Sequence, residues 1–226
     1  MSESIKLKPL NQREALRYMG YGTAKPDTQV QQMLDACETE LLQKAIPRYV
    51  YRCFDLAGQP EGIAVLGTNL ILSGQDIAGH LSGCEKAVLL CATISAEADR
   101  LIRILQVQNM SKCVVMDALA SVAVEQVCTQ AEQLIRQEFE AYYQTWRFGI
   151  GYGDLPLELQ PAFLEVIDAP KRVGVYATSS LLLTPTKSVT CIIGLSKDPI
   201  TNQRKGCQTC NMQERCRYRA GGGHCS

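Results

Sequence analysis

The feature that most narrows what this chain can fold into is one long helical stretch, roughly residues 111–143, that runs straight into a glycine-rich turn. The middle of that stretch, Ala118-Leu-Ala-Ser-Val-Ala-Val124, is small and apolar, which lets a helix pack closely against a sheet. The turn reads Thr145-Trp-Arg-Phe-Gly-Ile-Gly-Tyr-Gly-Asp-Leu-Pro156 and holds the only tryptophan. Its alternating glycines, Gly149, Gly151 and Gly153, strip side chains from one edge of the backbone, so a ligand can come close to the peptide N–H groups. Arg147, Tyr152 and Asp154 add polar chemistry, and an arginine fork suits a carboxylate or phosphate. Two readings stand at this point: a ligand-binding loop, or a plain glycine turn joining the helix to the next element.

The remaining pattern is mixed. Residues 11–19 read as a short helix, and Asp27 or Thr28 caps a second one running to about Ile46, stopped by Pro47. Residues 49–56 and 63–66 read as strands around an Ala57-Gly58-Gln59-Pro60 turn. A short helix over 73–81, a buried strand over 87–92 and a helix over 96–108 capped by Ser95 follow. Beyond the glycine turn come a helix from Pro156 or Leu157 through Ile167 and strands over 173–177 and 188–195. This is neither a βαβ repeat nor a strand-only pattern, so the class is α+β. The expected division is 1–60 as a helical arm with the first strand, 61–198 as the core, and 199–226 as a cysteine-rich tail.

Lys+Arg and Asp+Glu both total 23, so the basic excess of a nucleic-acid-binding domain is missing. No run of roughly 18 uncharged apolar residues is present, so no membrane span is expected. The first residues lack the apolar core of a signal peptide, and a cytoplasmic protein is the expectation. A reducing compartment argues against disulfides for the 11 cysteines. Cys37, Cys53, Cys84, Cys91, Cys113, Cys128 and Cys191 stand singly among apolar residues and read as small buried hydrophobes. Cys207, Cys210, Cys216 and Cys225 crowd the end, and four thiolates suffice for zinc or an iron–sulfur cluster. His224 can replace Cys225 as the fourth ligand, and the third reading is a tail of reactive thiols. Arg204, Lys205, Arg215, Arg217 and Arg219 would offset thiolate charge there. His80, beside Ile77 and Leu81, reads as a surface or satisfied core histidine, and Asp117 and Glu125, on one helix face, as solvated or capping groups.

Arg147-x-x-x-Gly151-Tyr152 resembles the first signature of the S-adenosylmethionine-binding activation domain of cobalamin-dependent methionine synthase. Thr178-x-Ser180, followed by Pro185-x-x-Ser188-Val189, resembles its second signature, and the helix carrying Asp117-Ala-Leu-Ala and Glu125 resembles the helix before the first. Order and spacing agree across roughly residues 85–196, and two signatures in register are far more specific than one. The resemblance implies a twisted antiparallel sheet with flanking helices. It also implies a role in reductive reactivation: the domain holds S-adenosylmethionine over the cobalamin module, whose cobalt has slipped to Co(II). This chain is similar to the free-standing bacterial form of that domain, with cobalamin on a partner methionine synthase or related corrinoid methyltransferase.

Carried over by that resemblance, Arg147 pairs with the ligand carboxylate, while Gly151 and Tyr152 give backbone approach and ring contact. The ligand-site candidates are Arg147, Gly149, Gly151, Tyr152, Gly153, Asp154, Ser188, Ile193 and Gly194. The chain departs from the family at Ile193-Gly194, which replace a Tyr-Phe pair beside the ligand, at Cys191, which replaces a glycine, and at Phe148 and Ile150, which replace signature prolines. The expected function is an accessory reactivation protein with no acid–base constellation of its own. A zinc or iron–sulfur protein acting on a corrinoid methyltransferase without S-adenosylmethionine is the alternative, and a plain interaction module is a third.

Overall fold

In the computed structural model, residues 5–200 and 214–215 are described. Helices α1 (Gln12–Tyr18) and α2 (Thr28–Lys44) lead into strands β1 (Arg48–Gln59), β2 (Gly62–Val65) and β3 (Ile71–Leu72), helix α3 (Gln75–His80) and strand β4 (Lys86–Thr93). Then come helices α4 (Ala96–Gln108) and α5 (Met110–Glu138), short strands β5 (Tyr143–Gln144) and β6 (Phe148–Gly149), and a 3-10 turn at Leu157–Leu159. Helices α6 (Gln160–Val166) and α7 (Ala169–Val173), the hairpin strands β7 (Tyr176–Ala177) and β8 (Leu183–Thr184), and strand β9 (Ser188–Ser196) complete it.

Seven strands form one sheet in the order β3-β2-β1-β4-β9-β5, with β6 also pairing β9, and every pair is antiparallel. The α+β class and the antiparallel sheet with flanking helices are as expected from the sequence. β4 is central, paired with β1 on one side and with β9 on the other. Val88, Leu90 and Ala92 turn to the face covered by α1, α2, α4 and α5, and Cys191, Ile193 and Leu195 of β9 join them. Ala87, Leu89, Cys91 and Ile192 turn to the face covered by α3, α6 and α7, with Phe148 and Phe163. Burial on both faces is why β4 reads as an unbroken apolar run rather than an alternation.

The small residues of α5 lie against this sheet: Ala118, Leu119, Ala120, Ala123 and Val124 are all buried. By length and composition α5 could cross a membrane, but 61% of its apolar window is buried inside the protein. Its apolarity is that of a core helix. Residues 5–10 are strapped along it. Gln126 accepts the Lys8 N–H at 2.7 Å, and the Gln130 amide donates to the Lys6 carbonyl at 3.0 Å.

Three local expectations are corrected. The long helix ends at Glu138, because Tyr143 and Gln144 leave it to pair with Ser196 and Leu195 of β9. Ser95 makes no side-chain cap; it sits at φ 75°, and its N–H donates to Thr93 Oγ1 at 3.1 Å. Val173 ends a helix rather than starting a strand, because Gly174 at φ 73° terminates α7 in the left-handed conformation.

Candidate functional site

The chain crosses the edge of β9 between β5 and β6, and that crossing decides where Arg147 points. The Thr145 N–H donates to the Gly194 carbonyl at 3.0 Å, and the Gly194 N–H donates to Thr145 Oγ1 at 2.8 Å. Three residues on, Phe148 pairs with Ile192 and is buried on the α6 side of the sheet. Arg147 is therefore turned to the opposite side, towards α5. Its Nη2 donates to Glu125 Oε2 at 3.0 Å, and its Nε lies 3.6 Å from Glu132 Oε2. Glu125 and Glu132 are two helical turns apart, so they share one face of α5.

The Arg147 side chain is 13% exposed. Burial works against its charge, but Cys128, Glu125, Cys191 and Glu132 around it outweigh that and hold its pKa above the ordinary arginine value. Its Nη1 is buried with no hydrogen-bond partner. Among the described residues, unpartnered buried side-chain atoms fall in two places. One is Ser95 with Asp99 at the start of α4, and the other is Arg147 with both amide atoms of Gln144. Buried polar groups are almost always paired, so each such atom needs a reason.

Gln144 helps to wall a cleft of about 420 Å³, formed between Glu132 and Arg136 of α5 and the edge segment from Tyr142 to Trp146. Arg147 lies behind this cleft, in contact with its wall residue Glu132. Trp146 connects the cleft to an aromatic cluster on the other side of the sheet edge. Its ring centroid is 4.6 Å from His80, 5.3 Å from Phe148 and 5.8 Å from Tyr152. His80 is buried, 2.8 Å from Thr145 Oγ1, and burial lowers its pKa to about 4, so the ring is neutral. Of the two sequence readings, it is the satisfied core histidine.

The nine sequence candidates divide. Arg147 turns to Glu125 on α5, while Tyr152 packs edge-on against Trp146. Gly149 pairs with Cys191 in β6, and Gly151 (φ 80°) and Gly153 (φ 59°) shape the turn that follows. Asp154 caps α3 instead of facing the cleft: its carboxylate accepts the N–H groups of Gln75 and Asp76 at 2.6 and 3.1 Å. Ile193 is fully buried in the core under α5. Gly194 is enclosed, since a Cβ there would lie 2.6 Å from Cys84 Sγ and 2.8 Å from Leu81 Cδ2. Ser188 stands at the far end of β9, with its hydroxyl 2.8 Å from Thr93 Oγ1 and 2.7 Å from the Pro185 carbonyl.

Glu132 and Gln144 were not singled out in the sequence. Glu132 carried a usable signal, its seven-residue spacing from Glu125. Gln144 carried none beyond its nearness to Arg147. Burial pushes the Cys128 thiol up to about 12 and the Cys191 thiol well above its ordinary value, so neither is a nucleophile. Among the described residues, no group of three or more His, Cys, Asp and Glu could hold a metal ion. The tail cysteines Cys207, Cys210, Cys216 and Cys225 lie outside the described residues.

The sheet order defines an α+β antiparallel-sheet fold with a cleft at its rim. This is the fold of a crystal structure titled "Crystal Structure of the MetH Reactivation Domain bound to AdoHcy", matched with a TM-score of 0.60 over 84% of this chain and 77% of that one, at 16% identity. No protein-family profile matches the chain, and no curated protein matches it either.

Proposed function

We propose that this protein binds S-adenosylmethionine in the cleft between α5 and the β5–β6 edge and presents it to the cobalamin module of a partner methionine synthase during reductive reactivation. The observation that carries this reading is the buried, unpartnered Nη1 of Arg147 beside a cleft, on the fold of a reactivation domain bound to AdoHcy. An arginine oriented by Glu125 and Glu132 keeps its Nη1 without a partner, and the N–H groups of that nitrogen suit a carboxylate. Tyr152 packs edge-on against Trp146, a wall residue of the cleft, with ring centroids 5.8 Å apart. Bound S-adenosylmethionine would supply the methyl group for the partner's cobalamin. This chain contributes position and shelter from water rather than acid–base chemistry.

Calorimetric titration of S-adenosylmethionine into the full chain tests the reading. Saturable binding that Arg147→Ala removes supports it, and binding unchanged by that substitution takes Arg147 out of the site.

One observation favours a second reading. The position of the family's aromatic pair is closed here, with Ile193 buried and Gly194 walled in by Cys84 and Leu81. On that reading Cys207, Cys210, Cys216 and Cys225 hold zinc or an iron–sulfur cluster, and the protein acts on a corrinoid methyltransferase without S-adenosylmethionine. Iron in anaerobically purified protein, with no S-adenosylmethionine binding in the millimolar range, would select it.

A further inference from the structure

Gln144 presents an unusual group. Its side-chain oxygen and nitrogen are both out of contact with solvent, and neither has a hydrogen-bond partner, although the residue walls the cleft of about 420 Å³. A primary amide needs both an acceptor and a donor, so leaving both ends unmet in the interior is expensive for the folded state. Its backbone is fixed by pairing with Leu195 in β5, which leaves the side chain alone to satisfy itself. Beside it stand the flat surfaces of Tyr142, Tyr143 and Trp146.

We infer that Gln144 is the residue that reads the base of the bound nucleoside, its amide meeting the adjacent amino donor and ring-nitrogen acceptor of adenine. The inference rests on the proposed S-adenosylmethionine reading and extends it by assigning the specificity for the base. A side-chain amide is matched to this edge: it can give one hydrogen bond and take one in the same plane. The aromatic walls add stacking surface that every base can use, so the amide supplies the discrimination. Arg147 lies three positions further along the chain, behind the cleft wall at Glu132, and serves the amino-acid carboxylate while Gln144 serves the base.

The test is titration of S-adenosylhomocysteine, and of its analogue lacking the exocyclic amino group, into the wild-type chain and Gln144→Leu, with thermal melts of both proteins without ligand. The wild type is expected to prefer the amino-bearing ligand by about ten- to hundredfold, and Gln144→Leu to lose that preference. Without ligand, Gln144→Leu is expected to melt no lower than the wild type, because it removes two unpaired polar atoms from the interior. A variant that keeps both affinity and preference would overturn the assignment of Gln144 and leave the S-adenosylmethionine reading standing. A variant that melts lower yet binds as well as the wild type would give Gln144 a structural role and overturn the assignment too. No binding of either ligand to the wild type would overturn both.

Discussion

Thr145 and Gly194 hold each other twice, backbone to backbone at 3.0 Å and backbone to hydroxyl at 2.8 Å. This pair pins the edge crossing to β9. It sends Phe148 into one core and Arg147 towards the carboxylates on the other side. The same hydroxyl is 2.8 Å from the neutral His80 ring, so a buried polar relay backs the loop that carries the candidate site.

Gly194 leaves no room for a side chain. Its Cβ would crowd Cys84, Leu81 and, at 3.1 Å, Thr145 Cγ2. Gly194→Ala should therefore lower stability by about 1–3 kcal/mol, read from chemical denaturation. Gly194→Phe, which places an aromatic ring in this enclosed position, should fail to fold without rearranging the edge. A fully stable Gly194→Phe protein would show that this wall gives way.

His80 should make stability pH-dependent. The unfolded ring takes up a proton below pH 6.5, whereas the buried folded ring resists until about pH 4. Between these values the unfolded state binds more protons, so stability is full above pH 6.5 and falls as pH drops towards 4. The total loss is about 3 kcal/mol. His80→Gln should flatten this part of the profile in urea melts taken from pH 7 to 4.

Glu132 approaches Arg147 to 3.6 Å, so on the proposed reading it competes with the ligand carboxylate. Glu132→Gln should raise affinity for S-adenosylhomocysteine about fivefold and leave that for methylthioadenosine, which has no carboxylate, unchanged. Equal effects on both ligands would separate Glu132 from carboxylate binding.

Arg147→Lys keeps the charge and loses the planar fork. It should weaken S-adenosylmethionine binding about tenfold without a large change in melting temperature, whereas Arg147→Ala should also lower stability by about 2 kcal/mol. Calorimetry and thermal melts on the two variants separate these effects.

Much of this architecture was legible because it rests on local rules. Asp27 caps α2 as its sequence position implies, accepting the Val30 N–H at 2.8 Å. The apolar run at 87–92 reads as a buried strand, and β4 is buried on both faces. The edge strands were not legible, since Tyr143–Gln144 and Phe148–Gly149 are two residues each and exist only because β9 offers a free edge. Arg147 stood out as a fork beside glycines. Its partners did not, because Glu125 and Glu132 meet it only when the sheet edge folds under α5. Asp154 shows the converse: a carboxylate among glycines reads as a ligand group, yet tertiary contact makes it the cap of α3, a helix 78 residues earlier in the chain.

The most direct measurement uses the chain's single tryptophan, Trp146, which walls the cleft. Titrating S-adenosylmethionine while following tryptophan emission should give a saturable change in the wild type and none in Arg147→Ala. A calorimetric binding signal without any change in Trp146 emission would place the ligand elsewhere and contradict the account.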